Sequence, residues 1–128
     1  MRRNITIKTL LLLSLFVTGS AWAEWKGISE TDEAIYYIDP TTILKDGNLR
    51  KIWVLKHHKI RSATGSKSVL NRDEFDCKKE LRRYIFISGH SELYAKGETL
   101  ITIKEPGKWG EIPPHSTGAH IFASVCAQ

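Results

Sequence analysis

Cysteine is almost missing from this chain of 128 residues: Cys77 and Cys126 are the whole supply. Two cysteines without a CxxC pair, and without histidines at finger spacing, leave little basis for a structural zinc site. Long apolar runs are missing too. The longest, Leu10 to Val17, is broken by Ser14 and falls far short of the roughly 20 residues a membrane-spanning helix needs. There is no nucleophile-elbow motif and no pair of catalytic acids. His90-Ser91 and His115-Ser116 are neighbours only in sequence, whereas triads are assembled in space. These absences point away from an enzyme, and no cofactor or metal is expected. Repeats, low-complexity tracts and interdomain linkers are absent as well, which leaves one domain over residues 24–128.

What is present begins with an export signal. Arg2, Arg3 and Lys8 give a positive start, the short apolar run follows, and Ala21-Trp22-Ala23 places small residues where a signal peptidase reads them. Glu24-Trp25-Lys26 is no longer compatible with a membrane. Residues 1–23 therefore read as a cleavable signal peptide. The mature chain, Glu24 to Gln128, would be periplasmic or secreted. No cysteine follows the cleavage point, so the sequence does not read as a lipoprotein. Losing Arg2, Arg3 and Lys8 takes the 19 basic residues to 16, against 14 acidic ones, so the net charge falls from +5 to +2. That mild excess gives no support for nucleic-acid binding.

Export also changes how the cysteines read. In an oxidising compartment an even pair suggests a disulfide, with two free thiols or half a metal site as the alternatives. A bridge closing a loop of this length would stabilise a small fold by about 4 kcal/mol in the chain-entropy model.

Turn signals recur every 8 to 15 residues, with short β-rich runs between them. The runs are Trp25–Ser29, Ala34–Ile38, Leu49–Ile60, Val69–Cys77, Arg83–Ser88 and Thr99–Ile103. Asp39-Pro40 closes the second, and Asp39 is placed for an Asx-type turn onto Thr41 or Thr42. Asp46-Gly47 marks another turn. After Pro113-Pro114, Ser116 is a fair N-cap, and Ile121, Phe122 and Val125 fall at helical spacing. A helix over Thr117–Cys126 follows, although Gly118 leaves a final strand as its rival. With Val69, Phe75 and Cys77 on one face of their strand, a bridged helix would cover that face. The fold class is α+β: one antiparallel sheet of about six strands with a C-terminal helix on one side.

The segment Tyr36-Tyr37-Ile38-Asp39-Pro40-Thr41-Thr42-Ile43 resembles the signature of the surface-adhesin protein E-like family. The resemblance continues through Asp46-Gly47, Trp53, Asp76-Cys77, Trp109-x-x-Ile112-Pro113-Pro114-x-Ser116 and Val125-Cys126. It implies an exported Gram-negative bacterial domain with a six-stranded antiparallel sheet and a helix tied to it by the cysteine pair. It also implies adhesion to host or extracellular proteins, and a capacity to form homodimers. Two departures stand out. The lipid-carrying cysteine is missing, and His115 stands where glycine is expected. The signature residues Tyr36, Tyr37, Asp39, Pro40, Trp53, Asp76, Trp109, Pro114 and Ser116 read as structural.

The candidate binding residues are basic. Lys56, Lys59, Arg61 and Lys67 flank one loop, and Lys78, Lys79, Arg82 and Arg83 crowd the next turn. If the intervening strand pairs with both neighbours, these form two patches at opposite ends, either of which could draw a polyanion or an acidic protein. An ordinary solvated edge is the simpler reading. His57 and His58 would face opposite ways in a strand, which argues against joint chelation or haem binding. Trp25 and Trp109 read as caps on the core or as anchors of an interface. The leading function is a non-enzymatic exported binding module of adhesin type. A periplasmic structural or partner-binding protein is the alternative, and a haem or small-molecule binder is the third.

Overall fold

A computed structural model describes residues 23–127. The expected signal peptide, apart from Ala23, lies outside the described residues. The eight strands are β1 (Lys26–Glu30), β2 (Ala34–Ile38), β3 (Leu44–Asp46), β4 (Leu49–His58), β5 (Ser68–Asp76), β6 (Leu81–His90), β7 (Thr99–Ile103) and β8 (Gly110–Glu111). One helix, α1 (Thr117–Cys126), ends the described chain. All strand pairs are antiparallel, and the main sheet runs β1-β2-β4-β5-β6-β7. The short β3 and β8 extend it by pairing with the first residues of β4 and β6. The α+β architecture read from the sequence is the one observed.

Local chemistry places the boundaries. Asp39 stops β2: its Oδ1 accepts the Thr41 amide at 3.0 Å, and Pro40 begins a 3-10 turn that needs no amide donor there. Ser116 caps α1 by accepting the Ala119 amide at 3.1 Å. Helix therefore wins over strand at the C-terminus. Gly118 has its own reason: a Cβ there would stand 2.5 Å from the Arg82 guanidinium. His115 has φ 61°, the left-handed region that favours glycine, which accounts for the glycine expected at that position.

The core lies between α1 and one sheet face. Ile38, Ile52, Val54, Phe75, Ile121 and Val125 are buried together, with Phe122 and Cys126 packed against them. The Cys77–Cys126 disulfide ties the helix to the end of β5. The sheet curves around the helix. At the helix N-terminus Thr117 bonds Ser29 of β1, while Gly118 sits against Arg82 of β6, four strand steps away. Those strands would be about 19 Å apart in a flat sheet.

The expectation that α1 covers both Val69 and Phe75 needs correction. Phe75 is in the helix core, its ring centroid 6.2 Å from that of Phe122, but Val69 is not. A helix of ten residues is about 15 Å long, whereas the nine residues of β5 extend about 30 Å, so part of the concave face stays open.

Candidate functional site

The first basic group sits at the β4–β5 end of the sheet and is largely engaged. Lys59 pairs with Glu30 at 2.8 Å and Lys67 with Glu92 at 3.5 Å. Arg61 donates to the carbonyls of Gly65 and Ser91, and the Lys56 ammonium lies 5.5 Å from the Tyr36 ring centroid. The second group lies at the opposite end of β5, as the double pairing of that strand requires.

That second group does not form one patch. Arg82 and Arg83 lie within β6 and not in the turn before it, so they point to opposite faces. Arg83 bonds Glu74 at 2.7 Å and stacks 4.5 Å from the Trp109 ring centroid. Arg82 reaches the buried Asp73 through Nε at 3.1 Å and Nη2 at 2.7 Å. Asn71 donates to the other Asp73 oxygen. Burial pushes the Asp73 carboxyl above its ordinary value, and Arg82 and Asn71 pull it back only in part. Of this group only Lys78 and Lys79 stay exposed in the turn, beside the exposed Glu80, with their amides held by Asp76 Oδ1 at 3.0 and 2.9 Å.

Beyond the helix N-terminus the open part of the concave face forms a trough of about 300 Å³. Tyr36 and Lys56 line one wall, and Arg82, Tyr84 and Ile87 the other, with Val69 and Asn71 between them. Burial raises the Tyr84 hydroxyl pKa, with Arg82 lowering it and Asp73 and Tyr36 raising it. The sequence placed Tyr36 and Arg82 in separate roles, and only sheet curvature brings them to one cavity.

The imidazoles are occupied locally. His57 is buried, accepts the Tyr94 amide at Nε2 (3.1 Å) and packs against the Tyr37 and Tyr94 rings. His90 bonds Ser88 through Nε2 at 2.7 Å. Burial holds the pKa of both below the ordinary imidazole value. Among the described residues no three metal-ligating side chains converge, and no helix is long and apolar enough to cross a membrane. Trp53 lies on the face opposite the helix, 5.5 Å from Phe86 between ring centroids.

Sequence reasoning expected binding at a sheet edge but did not identify the strand that forms it. β7 pairs only with β6 among the described residues. Its Leu100, Ile101 and Ile103 are 40%, 47% and 43% exposed. It has no proline, lysine or other charge of the kind that blunts an edge strand. Exposed edges are templates for another chain. The signal was legible as an apolar run, but not its position at the end of the sheet.

The described residues thus form a small antiparallel sheet with one helix tied to it by a disulfide. The chain belongs to the surface-adhesin protein E family, whose model matches residues 25–127. Among solved structures it is similar to a Haemophilus influenzae protein E structure at 14% identity, covering 78% of this chain and 90% of that one, with a TM-score of 0.60. Another crystal form of the same protein gives 15% identity, coverages of 78% and 91%, and a TM-score of 0.56. Protein E from non-typeable Haemophilus influenzae gives 16% identity, coverages of 79% and 75%, and a TM-score of 0.56. At these identities the likeness is one of fold. A search of curated proteins finds no match.

Proposed function

We propose that this protein is a non-enzymatic, adhesin-like binding module, exported by a cleaved signal peptide, that takes an extended segment of a partner protein at the β7 edge. The exposed, uncharged β7 strand carries the proposal. A sequence of threonine, leucine and isoleucine on an open edge offers backbone bonds and apolar contacts together. Family membership supports the adhesin-like reading. Engagement of Lys59, Lys67, Arg82 and Arg83 by acidic partners disfavours polyanion capture as the main activity.

A binding panel of matrix proteins and heparin at two salt concentrations tests this. Binding to a protein that survives higher salt and is lost in Ile101→Lys supports the proposal. Binding to heparin alone, weakened by salt, would replace it with a polyanion reading centred on Lys78 and Lys79. A second reading keeps the same edge but places the partner within the cell envelope. It is favoured by Glu24, in place of a cysteine, after the expected cleavage point. Protease accessibility on intact cells separates the two locations.

A further inference from the structure

Asp39 is 3% exposed, and neither lysine nor arginine pairs with it among the described residues. A buried carboxylate without a counter-charge is costly unless its oxygens are well bonded. Oδ1 is satisfied by the Thr41 amide at 3.0 Å and by the Thr41 hydroxyl. Oδ2 accepts from one more group, the backbone nitrogen of Glu24, at 3.0 Å. That nitrogen is the atom that cleavage after Ala21-Trp22-Ala23 would turn into a free amine.

We propose that the Asp39 carboxylate is a binding site for an α-ammonium group, and that its ligand is the new N-terminus of this same chain. The inference rests on the signal-peptide reading and deepens it. A signal peptidase adds water across the Ala23–Glu24 peptide bond. Oxygen goes to the Ala23 carbonyl carbon, which leaves as a carboxylate, and the Glu24 nitrogen takes up the protons to become an ammonium. Before cleavage a neutral amide meets Asp39. Afterwards the same atom is a cation, and charge-assisted bonds are roughly twice as strong as neutral ones. Processing therefore gives the buried Asp39 a cationic partner at the end of β2, in a part-buried ion pair that fixes the chain just ahead of β1. The precursor is correspondingly less stable than the mature protein.

Three forms of the folded protein test this. They begin with a free Glu24 amine, with an Nα-acetylated Glu24, or with Ala23 retained. All three keep a donor at the Glu24 nitrogen, and only the first carries charge there. The free-amine form should melt higher than the other two by about 4–8 °C, the shift that a roughly five-fold change in the folding equilibrium gives in a domain of this size. In Asp39→Asn the three forms should melt together. If that variant fails to fold, the wild-type series alone decides. Equal melting of the wild-type forms would overturn the proposal. N-terminal sequencing of the exported protein tests the underlying reading separately: a start other than Glu24 would remove the cleavage point, whatever the melting series shows.

Discussion

The two ends of the β-sheet's central strands differ in how they are held. At the Phe75 end, helix α1, a disulfide and a buried apolar cluster fix the backbone. At the other end, the β6–β7 connection is held by a few polar bonds: His57 to the Tyr94 amide, and Ser68 Oγ to Ala95 N and Glu92 O. Tyr94 and Ala95 both sit at positive φ, and strain of that kind persists only where neighbours hold it. Beyond this turn lies the exposed β7 edge. One end supplies stability, while the other is free to present a surface and to change with conditions.

The largest way to break the contrast is at the disulfide. Cys77→Ser or Cys126→Ser should cost about 2–5 kcal/mol and lower the melting temperature sharply, with the partner set at β7 unchanged wherever the protein is folded. Unchanged melting in both variants would mean that the bridge does not form in solution. Phe75→Ala should cost about 3–5 kcal/mol. Ile101→Lys, on the exposed strand, should shift stability by no more than about 0.5 kcal/mol and still abolish partner binding. Denaturant unfolding beside a pull-down reads both, and a large stability loss in Ile101→Lys would erase the distinction between the ends.

A smaller effect sharpens the comparison through pH. Burial lowers the folded pKa of His57 below its ordinary 6.5. Between the two values the unfolded chain binds more protons, so stability rises with pH there. The contribution is complete above 6.5 and is lost as pH falls through the folded value. His58 and His90 act in the same direction. Protonated His57 can no longer accept from Tyr94, so hydrogen exchange should speed up at Tyr94 before it does in α1. A His57→Gln variant should have a flatter stability profile over this range. His115→Gly should raise stability by up to about 1 kcal/mol by relieving a left-handed residue. A lower melting point would show that the imidazole contributes something the backbone geometry does not.

Much of the fold was legible in the sequence because its signals are local. Short β-rich runs marked β2 and β7, and Asp39-Pro40 marked the turn. Ser116 and the spacing of Ile121, Phe122 and Val125 marked α1. The candidate site was less legible. Arg82 and Arg83 read as turn residues because β6 begins at Leu81, earlier than its apolar centre suggested. Their partners Asp73 and Glu74 lie on the neighbouring strand, where register and not proximity in sequence decides who meets whom.

The sequence by itself determined the strand and helix segments, their caps and the availability of one cysteine pair. These depend on interactions within about four residues, or on composition alone. Only the tertiary structure decided that β7 is the open edge, that α1 leaves a trough uncovered, and that the Glu24 nitrogen meets a buried Asp39. Those outcomes depend on strand order and sheet curvature, which bring together groups whose separation along the chain carries no trace of their contact.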